Sequence, residues 1–412
     1  GILADRRPPS RPLTPPSMSR HRVVIALGLS QTLAWGSSFY LPALLIGPMA
    51  QGVGLSEPTV WAVFSGSLAI SAVTGPRAGA RIDRWGGRQV LMGTNLIFAL
   101  GLALLALAQG PLGLCAAWLL LGIGMGAGLY DAAFATLARL YGSEARSAIT
   151  GITLIAGFAS TVGWPLTAAL EHSLGWRGAC WAWAALHLLI GLPLNASLPR
   201  ARPAHDVEAV PQAAGSPSAA KTPEPTAPAS PLTVALLAWV FAVVAFTSTA
   251  LAAHLPGLLA LQGVSAAGVV LAGSLIGPAQ VAARLLEFGV LRRLHPLVSG
   301  RVAACMHPLA ATLLMLLGAP AAAGFALLHG AGNGVLTITR GTLPLALFGA
   351  AGYGQRQGWL MLPGRLTAAL APWSFGLLLA GLGTQVLWVS AGLGLSAVLA
   401  LMAIQPRTSE GS

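Results

Sequence analysis

Three arginines, Arg284, Arg340 and Arg365, stand inside long apolar runs of a chain in which only 8% of the residues are charged. A guanidinium held in hydrocarbon costs about 2.5 to 3.5 kcal/mol on insertion scales, so each must face water, a counter-charge or an anion. The apolar runs hold few acids to pair with them. At least one of the three is therefore expected to line an aqueous cavity, which favours anionic solutes. Gln280 lies four residues before Arg284 and so shares its helical face. Pairing with Glu287, or snorkelling towards the membrane surface, is the alternative fate of Arg284.

Covalent chemistry has no carrier in this sequence. It holds no GxxxxGK[ST] phosphate loop and no HExxH or GxSxG with partners. The glycines Gly122, Gly124, Gly126 and Gly128 follow no strand and make no dinucleotide fingerprint. Cys115, Cys180 and Cys305 fall in different apolar runs without metal or redox spacing and read as small packing residues. The chain thus reads as no enzyme, with no cofactor and no metal. Its net charge of +12 comes from basic residues placed between apolar runs, unlike the clustered footprint of a nucleic-acid binder, so no nucleic acid is expected.

The elements carrying these residues are membrane helices. Hydrophobic residues make up 55% of the 412 and mean hydropathy is +0.74, which excludes a water-soluble fold. The runs are apolar on nearly all sides, as in Val386 to Ile404, and do not alternate as barrel strands do. Breaks between runs place spans near 23–48, 58–79, 89–108, 112–138, 147–170 and 178–198, then near 232–256, 266–288, 301–318, 321–346, 357–380 and 385–404. Residues 1–22 form a tail, disordered before Met18, which reads as the natural start. Residues 199–231 are a linker rich in Pro, Ala, Ser and Thr, and 406–412 a second tail. Arg20, Arg22, Arg81, Arg84, Arg88, Arg139, Arg146, Arg292, Arg293, Arg301 and Arg356 all fall on one side of this arrangement, and the other side has only Arg177. By the positive-inside bias, termini and linker are cytoplasmic in a bacterial inner membrane.

The two halves repeat. Gly66-Ser67-Leu68 recurs as Gly273-Ser274-Leu275, and 273 minus 66 is 207; Leu140-Tyr141-Gly142 recurs as Leu347-Phe348-Gly349 at the same offset. Both copies keep one orientation, a parallel repeat about an axis along the membrane normal. The expected fold is all-α, with twelve membrane helices in two six-helix repeats, 23–198 and 232–405.

The loop Gly79-Ala80-Arg81-Ile82-Asp83-Arg84-Trp85-Gly86-Gly87-Arg88 resembles the signature G-x-L-x-D-R-x-G-R-R of the major facilitator superfamily, matched at Gly79, Asp83, Arg84, Gly86 and Arg88. Arg81 and Gly87 depart from it. The resemblance implies a gate loop, in which Asp83 accepts hydrogen bonds at the amino end of a facing helix. Asp131 is expected to join that latch by pairing with Arg84 or Arg88, with direct solute or proton binding as its alternative. Trp118 stands where many proton-coupled exporters of the superfamily carry an arginine.

The run from Gly124 to Gly175-Trp176-Arg177 further resembles monocarboxylate porters and oxalate/formate exchangers. That resemblance implies a small organic anion held by Arg284, with Gln280 replacing the usual acid. Gln31, Tyr40, Thr247, Thr249, His254 and Asn333 lie in spans that line the cavity in this superfamily, and Gln31, Tyr40 and Asn333 join Arg340 and Arg365 as candidate ligands. His254, next to Leu255-Pro256, is expected to be solvent-exposed. The expected function is alternating-access transport of a monocarboxylate-like anion by a monomer in the bilayer. Efflux of a drug, metalloid or organoarsenical is one alternative, and a solute sensor that does not transport is another.

Overall fold

The computed structural model describes residues 18–141, 145–200, 230–289, 294–348 and 353–405. The expectations for residues 1–17, for most of the linker and for the tail from 406 onward fall outside them. Ten helical stretches among the described residues are long and apolar enough to cross a membrane. Two of these, Ser147–Ala196 and Leu360–Ala403, run to 50 and 44 residues, whereas one crossing needs about 20. Each doubles back at a glycine of positive φ, Gly175 at 69° and Gly383 at 56°, a conformation that costs glycine little. The stretches therefore make twelve crossings, and the two ends of the described chain, Met18 and Gln405, lie at one end of the bundle.

The helices of the first half are α1 (Arg20–Ser37), α2 (Pro42–Val53), α3 (Glu57–Trp85), α4 (Gly87–Leu107), α5 (Pro111–Gly128), α6 (Tyr130–Tyr141), α7 (Ala145–Ala156), α8 (Ala159–Leu186) and α9 (Leu192–Ala196). The second half holds α10 (Pro231–Leu261), α11 (Ala266–Gly289), α12 (Pro296–Leu317), α13 (Ala322–Phe348), α14 (Tyr353–Leu382) and α15 (Val386–Ala403). Three crossings expected as single helices are interrupted by turns, and the sixth passes through a π-helical stretch, His187–Gly191, between α8 and α9. The first breaks between α1 and α2, where Pro42 has no N–H to continue the ladder. The fourth breaks at Leu129, after a glycine run that holds helix weakly. The fifth breaks at Gly157-Phe158.

Between apolar helices in lipid, association comes from close packing rather than from water exclusion, so small residues mark the contacts. A side chain at Gly122 would collide with the Ser67 main chain, and one at Gly126 with Ser71. The second half repeats this pattern, with Gly330 against Ile276 and Gly334 against Gln280. Gly36 and Gly163 meet backbone to backbone in the same way. Around the bundle Leu112, Leu189, Leu316 and Leu399 stay exposed, as lipid-facing side chains do.

The apolar clusters show where the halves touch. Ala253 packs into a cluster otherwise drawn from the first half, and Trp164 into one of the second half, with Tyr40, Ala43 and Leu44 against it. These mixed clusters lie away from the chain termini. The two clusters nearest the termini each belong to one half only. The halves are thus clamped at the far end and parted at the terminal end.

Candidate functional site

A cavity fills the space where the halves part. It has two overlapping lobes of about 580 and 470 Å³ that share Trp35, Phe39, Tyr130, Asp131, Arg340 and Arg365. One lobe reaches Gly79 near the terminal end of α3; the other ends against Tyr40 and Trp164. Contacts between the halves close the far side. The Trp373 amide donates to Ser65 Oγ at 3.0 Å, and the His254 ring packs tilted against Trp61 with ring centroids 4.1 Å apart. His254 is therefore buried rather than exposed, and its Nε2 sits 2.6 Å from the Pro372 carbonyl.

Each of the three mid-span breaks, in the first, fourth and fifth crossings, falls at this cavity. Phe39 and Tyr40, Leu129 and Tyr130, and Gly157 all line it. Non-helical backbone at membrane depth is tolerated where it borders water, so the breaks and the cavity explain each other. The breaks also turn aromatic rings inward. Trp35 lies 5.0 Å from Tyr130 and 5.1 Å from Phe39 between ring centroids, and Tyr130 stacks on Phe134 at 5.3 Å.

Arg284 lines the deeper lobe, with Gln280, Asn333 and Tyr40. One guanidinium nitrogen donates to the Thr153 carbonyl at 3.1 Å and another to Gln280 Oε1 at 3.4 Å. The Arg284 Nε is buried without a hydrogen-bond partner. The Thr153 bond spans the two halves. Glu287 is buried with Oε2 unpartnered, so it is not the counter-charge of Arg284. Arg340 and Arg365 line both lobes. Asn333 Oδ1 accepts from Ser248 at 2.8 Å.

Besides that of His254, two expectations need correction. Gln31 is absent from the cavity wall. It is buried between α1 and α5, where its Nε2 donates to the Gly128 carbonyl at 2.7 Å, beside the break that follows Gly128. Asp131 does not pair with Arg84 or Arg88. The helix restarts at Tyr130 and places Asp131 in its first turn, exposed to the cavity that Arg340 and Arg365 share.

In the signature loop, Gly86 caps α3 with φ 84°. Gly87 lies so close to the Thr136 side chain that any Cβ there would collide with it, which accounts for the missing base at this position. Arg84 is exposed and Arg88 half-buried; the side chain of Asp83 lies outside the described set.

Sequence reasoning missed Tyr130, Trp35, Phe39, Phe134 and His329 as lining residues. The signal was present in Gly128-Leu129-Tyr130-Asp131, where a glycine run meets polar residues in the middle of a span.

Residues 27–327 match the Major Facilitator Superfamily, and the chain belongs to it: this is a multi-pass membrane transporter, not an enzyme, with a small-molecule substrate. Over 180 residues it is 28% identical to the 3-(3-hydroxy-phenyl)propionate transporter of Escherichia coli (strain K12), a match covering 43% of this chain and 42% of that protein. The aligned region thus spans about two fifths of that relative. Among solved structures, a mutant of the nucleoside transporter NupG superposes with a TM-score of 0.71 at 15% identity, covering 93% of this chain and 99% of the other. A bacterial homolog of the human lysosomal transporter Spinster, inward-facing and unoccupied, gives 0.63 at 18% identity, covering 93% and 94%. These two likenesses concern the fold.

Proposed function

We propose that this transporter carries a small organic monocarboxylate, with an aromatic ring as the favoured body of the solute. The observation that carries the reading is Arg284 at the cavity wall, anchored by Thr153 and Gln280 with its Nε buried and unpartnered. A carboxylate against such a fork gains charge-assisted, paired hydrogen bonds. The lining holds Arg284, Arg340 and Arg365 against Asp131, so its field favours an anion. Trp35, Phe39, Tyr40, Tyr130 and Phe134 supply flat apolar faces, and ring pairs gain about 0.5 to 1.5 kcal/mol beyond area burial. The Escherichia coli relative is named for an acid of this kind.

The arginine bias places both termini, and with them the open mouth of the cavity, on the cytoplasmic side of a bacterial inner membrane. Residues 23–198 and 232–405 act as the two rocking bodies of a monomer, and Gly79, Asp83, Arg84, Gly86 and Arg88 serve the gate between them. A substrate screen in proteoliposomes, with and without a pH gradient, tests the assignment. Uptake of 3-(3-hydroxyphenyl)propionate, with competition by other ring-bearing acids and none by their neutral amides, is the expected outcome. Uptake of neutral drugs or arsenicals instead would replace this reading with efflux.

A further inference from the structure

Behind the cavity wall the second half buries two histidines against each other. His307 of α12 and His329 of α13 place their Nδ1 atoms 3.2 Å apart, and both rings are buried. Phe325 stacks on His329 with centroids 5.8 Å apart. A small side chamber of about 30 Å³ adjoins the pair, lined in part by Thr247, Ser248, Asn333 and Gly394. That volume is enough for a water molecule. Thr247 Oγ1 and His307 Nε2 are both buried without hydrogen-bond partners, so the chamber has polar groups left to satisfy. A side chain at Gly394 would press on the His307 ring and on Pro308, and the glycine keeps that space open. His329, Ser248 and Asn333 belong to the walls of both the chamber and the central cavity.

We propose that His307 and His329 form a binding site for one proton, which couples to the solute through the wall that the chamber and the cavity share. Two neutral imidazoles carry two N–H groups and two lone pairs. The Nδ1 contact uses one of each, leaving one N–H and one lone pair on the outer nitrogens. A proton arriving from the cavity through His329, or through chamber water, adds to that lone pair. Both outer nitrogens then donate, and the central Nδ1–H···Nδ1 bond survives. A second proton would have to sit on the remaining Nδ1, breaking that bond and placing two positive rings side by side. The pair therefore takes one proton and refuses a second.

The groups around the pair set the coupling. α10 contributes Thr247 and Ser248, α13 Asn333, and α15 Gly394, none of which titrates in the working range. The ionisable groups that share the cavity wall with His329 are Arg284, Arg340, Arg365, Asp131, Tyr40 and Tyr130. A carboxylate seated on the arginines cancels part of the positive field at the pair, so anion and proton favour each other's binding, and linkage makes the effect reciprocal. This places in the histidine pair the proton-carrying role that Gln280 cannot perform. The coupling step rests on the organic-anion reading; the one-proton site does not.

Ring-labelled histidine NMR on the purified full chain, titrated from about pH 4 to 9, tests the site. In the wild type both rings should respond together to the uptake of a single proton, and in His307→Gln or His329→Gln the remaining ring should titrate alone. Two independent titrations in the wild type, or none in that range, would overturn the site. Proteoliposomes then test the coupling with 3-(3-hydroxyphenyl)propionate as probe. His307→Gln, whose ring lines the side chamber and not the central cavity, should exchange the probe across the membrane yet lose accumulation driven by a pH gradient; retained accumulation would overturn the coupling. If the wild type carries no organic anion, the anion reading and the coupling fall together, while the ring titration still decides the pair.

Discussion

In the first half, three of the crossings that meet the cavity break, at Phe39-Tyr40, at Leu129 and at Gly157, while α3 lines it unbroken. Their counterparts in the second half, α10, α13 and α14, run unbroken past the same depth. The chemistry divides along the same line. Broken helices contribute Trp35, Phe39, Tyr40, Tyr130 and Phe134; continuous ones contribute Arg340 and Arg365, and α11 contributes Arg284. A break can rotate a bulky ring out of the packed face, whereas a guanidinium on a long stem reaches the cavity from an intact helix. Packing is shared between the halves while function is not: Ser71 meets Gly126 where Gln280 meets Gly334, yet one turn further on the first half has Gly75 and the second Arg284.

If the cationic half sets charge, Arg284→Ala should cause the largest loss, roughly hundredfold or more in affinity, since a charge-assisted pair is worth about 3 kcal/mol. Arg284→Lys should lie between, because an ammonium lacks the planar fork. Direct binding of 3-(3-hydroxyphenyl)propionate to the purified variants measures both, and wild-type affinity in both would make Arg284 structural. If the aromatic half sets shape, Trp35→Ala should weaken ring-bearing acids by up to about tenfold and leave propionate untouched. Equal losses for both acids would dissolve the division between the halves.

The clamp at the far end offers a smaller effect. Ser65→Ala removes the acceptor of the Trp373 amide, the bond that ties α3 to α14. Labelling of cysteines introduced into the cavity should then rise from the far side by a few-fold, within the roughly 0.5 to 1.5 kcal/mol net worth of one hydrogen bond. Asp83→Asn should alter accessibility in the same assay through the opposite gate while leaving the protein folded. The least effect is expected from replacing Cys115, Cys180 and Cys305 with alanine, since Cys180 is buried, Cys115 half-buried and Cys305 exposed, each on a different helix. Transport should be unchanged, and loss of arsenical transport alone would point to a thiolate site.

Much of the architecture was legible in residue order. A membrane span announces itself by about 20 apolar residues, which local composition records; the repeat shows as an offset of 207 between two short motifs, whereas the equivalent contacts Gly126–Ser71 and Gly334–Gln280 stand 208 and 209 apart. Arg284 and Gln280 could be placed on one face because helical spacing is a local rule. Gln31 and Asp131 could not be placed that way, since both turn on the break after Gly128. His307 and His329 lie 22 positions apart on different helices, and only packing brings their rings together.

The sequence by itself determined the membrane class and the twelve crossings, and it nominated a cytoplasmic side from the arginine bias and Arg284 as an anion ligand. Each follows from chain-local composition or from a short-range period. Only the tertiary structure decided which polar residues face water. In a bilayer an apolar helix can turn almost any face to its neighbours, and the choice is made by where small residues permit close approach, as at Gly122, Gly126, Gly330 and Gly334. Those contacts fix the rotation of each helix, and the rotation sends Tyr130 and Asp131 into the cavity and Gln31 into the packing.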